Sequence, residues 1–571
     1  MSRKHTNTKR AARRPAFSKQ QKESSALKNL ICNTFLLVMF TVFPLFVTLA
    51  WQDSFPFISL ADGYREIRHQ KYYFFLIVSA LTVIAEIMLL LTETGAEKRR
   101  GDPETRSLFK TLSVTDWAVL AFVLSCAVST VFSAYTDLAV VGESETGGRN
   151  NGLILMLFYA AVYFTVTRCF RYKEYLFVAF ACVSGVVFLL AVLNGFYLDP
   201  LGMVEPFEYS NPRVYQNFMT TIGNKNMFSS YICVTLPAII ALFVNSRVLW
   251  HKAVYLICTA VGAMAVVVCD SDSVVLGMGA FIAVYLVVYA RRPERLKRFL
   301  LALTVLLSGV KLLQLLAVWS GGRYKELSAI PYKLMFSDML LAVIGVTAAL
   351  TAALYLLDWK KPGLTLPKAV PIALGSLFGL AAAFGVGVIV YYSAFDLKTD
   401  LGDWERLLRF NDAWGTHRGI MWDRALREFG KFSFFNKLFG TGPETFFYTF
   451  SPYFGELYRR FGDGVTDAAH NEYINYLTNI GIIGLASYLA FTGSALVAAF
   501  RRAKRDPSAL VFASAVIAYM AQATVNISLP IATPLFIIFV ALCACPGDTV
   551  GAAPRTGEKP TELPRGSKEK K

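Results

Sequence analysis

An all-α, polytopic membrane helix bundle is the fold class this sequence predicts, and three observations predict it. Of the 571 residues, 55% are hydrophobic and only 17% charged, where a soluble chain carries nearer a quarter charged. The apolar residues fall into uninterrupted runs rather than 3.6-residue stripes, close to the ~20 residues that carry a helix across ~30 Å of hydrocarbon. That continuity excludes the alternating pattern of a membrane β-barrel, which leaves helices as the way to satisfy the backbone in lipid.

Taken in order, the runs predict about fourteen spans. They cover 29–51, 72–92, 115–133, 152–167, 176–197, 228–246, 253–269, 274–290, 299–319, 337–358, 369–393, 472–500, 507–526 and 531–546. The first is too long for a signal-peptide core and no small-residue cleavage site follows it, so it reads as a retained span. Of the nine cysteines, Cys32, Cys126, Cys182, Cys233, Cys258, Cys269, Cys543 and Cys545 lie in or at the ends of apolar runs and none forms a CxxC pair. They read as small core residues, not disulfides or metal ligands.

The net charge of +17 does not point to nucleic acid, because topology distributes it. Residues 1–28 form a basic tail with nine Lys and Arg, including Arg3, Lys4, Arg13 and Arg14. Every second loop afterwards is basic: Lys98-Arg99-Arg100, then Arg168, Arg171 and Lys173, then Arg291 to Arg298, Lys360-Lys361, and Arg501 to Arg505. Residues 547–571 form a second basic tail. The positive-inside rule therefore predicts a multi-pass protein of the inner or cytoplasmic membrane with both termini cytoplasmic, its tails held near the lipid surface.

Four long loops fall on the other face: roughly 52–71, 134–151, 198–227 and 394–471. Loops of that length are functional or disordered, and 394–471 is too aromatic for a solvated linker, with Trp404, Trp414, Trp422 and Phe432 to Phe435. It is expected to fold over the bundle through short amphipathic helices near 403–414 and 418–429.

The residues suited to chemistry gather in these outer loops. His470 stands where the large loop enters the twelfth span, in Asp467-Ala-Ala-His-Asn-Glu. With Asp467 as N-cap, His470 would fall in the first helical turn, where the helix's positive end favours a neutral, base-competent ring. The plain alternative is an interfacial histidine. His470-Asn471 is followed after nine residues by Gly481-Ile-Ile-Gly484, whose glycines also suit close helix packing.

Together these residues resemble the C-terminal signature of the O-antigen ligase and O-antigen polymerase superfamily, membrane glycosyltransferases acting on polyprenyl-pyrophosphate-linked glycans. Four further elements resemble the family in order along the chain. They are Gly148-Arg149-Asn-Asn-Gly152 after Thr136 to Gly142; Arg213 followed by Gly223-Asn224-Lys225-Asn226; Arg418-Gly-Ile-Met-Trp422; and Leu438-Phe-Gly-Thr-Gly-Pro-Glu-Thr-Phe446. The sequence departs from many relatives at Cys269-Asp-Ser-Asp-Ser273, where they carry an arginine, and its fourteen spans exceed the family's usual twelve or so, which makes one pair accessory.

The resemblance implies a ligase or polymerase of surface glycans working at the outer face. Its donor would be a polyprenyl-pyrophosphate-linked oligosaccharide or polysaccharide, and its acceptor a glycan, lipid or protein. Such chemistry needs cations over the pyrophosphate and a base for the acceptor hydroxyl. Arginine is always charged and bidentate toward phosphate, so Arg149, Arg213 and Arg418 are the candidates, with Lys225 as a point-charge helper. Ordinary loop arginines pair with carboxylates or face water. His470 would be the base, supported by Asn471, Gly481, Gly484, Asn224, Asn226 and Trp422, in an inverting single displacement. No cofactor and no metal is predicted: Asp270 and Asp272 lack a companion HxxH-type ligand set.

The competing class is a lipid-linked glycan flippase or other transporter, which would show repeated halves with interrupted spans; no repeat is visible. A peptidoglycan-type polymerase would use a loop carboxylate in place of the histidine. Two charges fall inside spans, Glu86 without an evident partner and Lys311 able to snorkel outward.

Overall fold

The computed structural model describes residues 19–47, 63–100, 112–144, 147–203, 218–462 and 466–546. Among these the protein is an all-α bundle whose only strands are two short antiparallel ladders. Eleven helices are long and apolar enough to cross a membrane, and three shorter apolar helices, Leu153–Cys169, Ala509–Val525 and Thr533–Ala544, complete the set. The chain is a multi-pass membrane protein.

We number the helices in chain order: α1 Lys19–Leu45, α2 Gly63–Arg100, α3 Val114–Val131, α4 Thr136–Val141, α5 Leu153–Cys169 and α6 Glu174–Gly195. Then come α7 Lys225–Asn245, α8 Leu249–Cys269, α9 Asp272–Tyr289, α10 Pro293–Trp319, α11 Ala329–Phe336, α12 Met339–Lys360 and α13 Ala369–Ala394. The loop region holds α14 Glu405–Leu408, α15 Trp414–Lys431, α16 Phe434–Phe439, α17 Phe446–Phe450 and α18 Phe454–Phe461; α19 Glu472–Ala503, α20 Ala509–Gln522 and α21 Thr533–Ala544 close the chain.

Burial sorts the helices. In α7, 94% of the apolar window is buried, and α21 is buried from Thr533 to Cys543; a helix apolar all round belongs inside. These two are the central posts, and burial explains how α21 serves with only 12 residues. At the other extreme α13 buries none of its window and α12 only 11%. That hairpin lies at the periphery, against α9 and α10.

The first span stops at Leu45, short of the expected residue 51, because Pro44 lies in its last turn. The carbonyls freed there, of Phe43, Pro44 and Phe46, receive the buried Lys71 ammonium at 2.7, 3.1 and 3.0 Å. Lys71 is thus a helix C-cap contributed by α2. Glu86 has a partner after all, accepting from Thr165 Oγ1 at 2.7 Å. Lys311 reaches Gln314 and the Met335 carbonyl of α11.

The bundle has two distinct ends. At one, the basic loops interlock: Arg168 with Asp116, His251 with Glu174, Arg298 with the Val244 carbonyl, Lys297 with Asp358. At the other lies the large loop, which carries its own small core of Ile420, Met421, Ala425, Phe446, Phe450, Leu457 and Ala469. Within it the expected helix at 403–414 is only a 3-10 turn and one turn of α14, while that at 418–429 is present as α15. The first helix ends at Leu408, where Arg409 turns extended, and beyond it the Asn411 and Asp412 carbonyls accept from Trp414 N and Ile420 N at 3.0 and 3.2 Å at the start of α15.

Candidate functional site

The loop end of the bundle is assembled from three strained pieces of backbone. The first is the turn between α4 and α5. Gly142, in the left-handed conformation, ends α4, and the two-residue ladder Glu143-Ser144 with Gly147-Gly148 folds the chain back. A Cβ on Gly142 would lie 2.3 Å from the Gly152 amide nitrogen, so no side chain fits where the turn crosses itself. The crossing presents Arg149. Its guanidinium pairs with Asp467 through Nη2, its main-chain N–H donates to Glu444 at 2.8 Å, and its Nε is buried with no partner among the described residues. Asn150 ties the turn to Arg68 of α2 at 3.0 Å, and Asn151 ties it to the Ser528 carbonyl at 2.8 Å.

The second piece joins Leu438 to Glu444 with a break in α19. Gly481 has φ 70° and ψ −174°, a region open only to glycine. The break frees the Thr478 and Asn479 carbonyls, which accept from Thr441 N and Gly442 N at 3.2 and 2.9 Å; Ser129 Oγ adds a bond to Asn479 at 2.8 Å. A Cβ on Gly481 would sit 2.3 Å from Leu438 backbone. Gly484 leaves room for the Ile480 side chain. Gly481 is therefore a helix break that docks the Gly-x-Gly-Pro turn, a role other than the plain helix-packing alternative for these glycines. Gly481→Ala is expected to cost at least ~1–3 kcal/mol in backbone strain before any clash. A thermal melt of detergent-solubilised protein, followed by size-exclusion chromatography, measures it.

The third piece carries His470. Asn471, not Asp467, is the N-cap of α19, accepting from Tyr473 N and Ile474 N at 3.0 and 3.1 Å. His470 precedes the helix with φ 50°, so the expected place in the first turn is corrected; Asp467 is spent on Arg149. Trp422 and Asn475 hold the preceding residue, with Trp422 Nε1 donating to the Ala469 carbonyl at 2.9 Å and Asn475 Oδ1 accepting from Ala469 N at 2.8 Å. The ring is half-buried and its Nδ1 has no hydrogen-bond partner among the described residues. Burial, then the positive charges of Arg149 and Arg418, push its pKa down to about 3, against the opposing pull of Asp467. A neutral ring was expected from the helix terminus; desolvation and two arginines produce it instead.

Arg418 begins the regular part of α15, after Gly415, Thr416 and His417 pass through positive φ. Its Nη1 donates to the Gly415 carbonyl at 2.6 Å and its Nε is buried without a partner among the described residues. Burial holds its pKa below the usual arginine value, with Asp272 opposing. Asp272 and Asp270 belong to the turn for which the sequence offered no role. Lys225 lies 3.4 Å from Asp270, which also accepts from Ser328 N and Oγ at 2.8 and 2.6 Å. Asn224 caps α7 by accepting from Asn226 N at 2.8 Å. The Asn226 carbonyl accepts from Asn526 Nδ2 at 2.8 Å.

Thus His470, Arg149 and Arg418 share one electrostatic environment. Lys225 joins through the aspartates, while Asn224, Asn226, Asn471, Gly481, Gly484 and Trp422 build the scaffold. Arg213 lies outside the described residues. Sequence reasoning missed Glu444. Its backbone is left-handed at φ 62° and its carboxyl, buried beside Asp467, is pushed up to about 7. Its signal was a glutamate directly after Gly-Pro in a turn otherwise uncharged. No three His, Cys, Asp or Glu side chains among the described residues are placed to hold a metal ion. No protein-family model matches the chain, and no curated protein does.

Proposed function

We propose that the chain is a membrane glycosyltransferase that moves a glycan from a polyprenyl-pyrophosphate carrier to an acceptor hydroxyl, as a surface-polysaccharide ligase or polymerase. The observation that carries this reading is the pairing of a neutral, half-buried His470 with two arginines that act on it, at the end of the bundle covered by the aromatic loop. In this reading the guanidinium of Arg418, with Arg149 beside it, faces the pyrophosphate. The acceptor oxygen attacks the anomeric carbon, the carbon–oxygen bond to pyrophosphate breaks, and the leaving group departs with the electron pair. The acceptor's proton goes to the His470 imidazole, and attack opposite the leaving group inverts the anomeric centre.

Burial first, and then the same arginines, make His470 a weak base while the site is empty, and an optimal base has a pKa near the working pH. A pyrophosphate on Arg149 and Arg418 neutralises the charges that depress the ring, so donor binding raises the basicity of His470. The histidine is thereby armed by its own substrate.

This function places the loop end outside the cell and both termini in the cytoplasm. Lys431 is an exposed loop residue, and Lys431→Cys in intact cells is expected to react with an impermeant thiol reagent; labelling only after lysis overturns the orientation. The activity itself is tested with protein reconstituted in vesicles and a polyprenyl-pyrophosphate-linked oligosaccharide. Release of polyprenyl pyrophosphate with formation of a longer or ligated glycan is expected, and translocation without bond cleavage would make the chain a transporter.

A further inference from the structure

A second compartment lies at the loop end of α10, lined by none of the residues of the His470 cluster although Asp270 and Lys225 act on its lysine. It is a cavity of about 450 Å³ between the last turn of α10 and α11, walled by Ala317, Val318, Tyr324, Leu327, Tyr332 and Phe336, with the buried Lys325 and the exposed Glu326 in its lining. Lys325 is only 7% exposed. Its main-chain N–H is fixed to the Gly195 carbonyl at 2.9 Å, yet its ammonium makes no hydrogen bond or ion pair among the described residues. The carboxylate that acts on it, Asp270, is already engaged by Lys225 and Ser328. Burial pushes the ammonium down to about 8, so it remains mostly protonated at neutral pH.

A largely desolvated ammonium that faces a cavity with no hydrogen bond of its own among the described residues is costly, and a bound anion lowers that cost. The shape of the cavity's approach says what sort of anion. Leu312, Leu315 and Val318 are exposed and three residues apart, so they form one stripe along α10 that ends at the cavity wall. Such a stripe, on a helix with membrane-spanning length and hydropathy, faces hydrocarbon. Tyr324 and Tyr332 supply the amphipathic rings that favour the headgroup level.

We propose that this cavity binds a phosphate-headed membrane lipid, its phosphate on Lys325 and its chain along Leu312, Leu315 and Val318. The site does not depend on the transferase reading, because it needs neither His470 nor the arginines around it.

Native mass spectrometry of the purified full chain tests this, using dioleoyl phosphatidic acid and a polyprenyl monophosphate, with dioleoyl phosphatidylcholine and glycerol 3-phosphate as comparison arms. One phosphomonoester lipid is expected to remain bound at concentrations where phosphatidylcholine does not. Lys325→Gln is expected to weaken retention by roughly 10-fold or more, as for loss of a charged hydrogen bond, and Lys325→Arg to preserve it. Val318→Trp, filling the mouth, decides the matter even if Lys325→Gln fails to fold. Equal retention of lipid by Val318→Trp, or no preference over phosphatidylcholine, overturns the site. Displacement of the lipid by an equal concentration of glycerol 3-phosphate overturns its assignment to a lipid. His470→Ala is expected to bind the lipid normally, so loss of the transferase reading and loss of this site are separate results.

Discussion

Purified His470→Ala is expected to fold and insert normally while glycan transfer falls by roughly 10²–10⁴, the usual range for removing a general base. The side chain supports little of the surrounding structure. The turn before it is held through the Ala469 backbone by Trp422 and Asn475, and the helix after it is capped by Asn471. Donor binding is expected to persist, since the arginines remain. Near-normal turnover by the folded variant would remove His470 from the mechanism.

The pH profile adds a readout that a structural histidine would not move. With its pKa near 3 in the free protein, His470 is already neutral from pH 5 to 8 and contributes no acid limb to kcat/KM there. Glu444, pushed up to about 7, titrates in that window instead. Below pH 7 it is neutral, leaving Asp467 as the carboxylate that balances Arg149. As pH rises through 7, Glu444 gains a negative charge beside Arg149, where the proposed function puts the anionic donor, so KM for the donor is expected to rise several-fold. Glu444→Gln is expected to flatten that rise, and an unchanged profile in Glu444→Gln would exclude this carboxyl as its source.

The second large effect concerns the arginines, which the structure separates into two kinds. Arg149 is paired with Asp467 and both side chains are only partly exposed, so removing one partner strands the other charge in a largely desolvated place. Arg149→Met is therefore expected to lower thermal stability as well as activity. Arg418 has one main-chain hydrogen bond, and its buried Nε has no partner among the described residues, so its guanidinium keeps hydrogen-bonding capacity for a ligand. Arg418→Lys keeps the charge but loses the bidentate fork. It is expected to reduce kcat/KM for the donor by about 10–100-fold, corresponding to ~1.5–3 kcal/mol, with the melting temperature nearly unchanged. Equal stability losses in both variants would show that Arg418 too is structural.

Some of this protein is fixed by composition and local pattern alone. Continuous apolar runs against a solvent of lipid leave only helices, so the fourteen-helix bundle follows from hydropathy, and the aromatic content of 394–471 marks it as folded. Residue type also fixed which side chains are suited to phosphate and to proton transfer, because those properties belong to arginine and histidine wherever they stand. Tertiary contact decided the rest. Gly481 and Gly484 look like helix packing until the break in α19 is seen to dock the Leu438 to Glu444 turn, since a positive φ comes from backbone hydrogen bonds that no short pattern encodes. Asp467 looks like a cap until Arg149, 318 residues away, claims its carboxylate and leaves Asn471 to start the helix. The neutrality of His470 likewise comes from desolvation and from charges brought to it by the turn before α5 and by α15, a long-range sum over the fold that its neighbours in sequence do not contain.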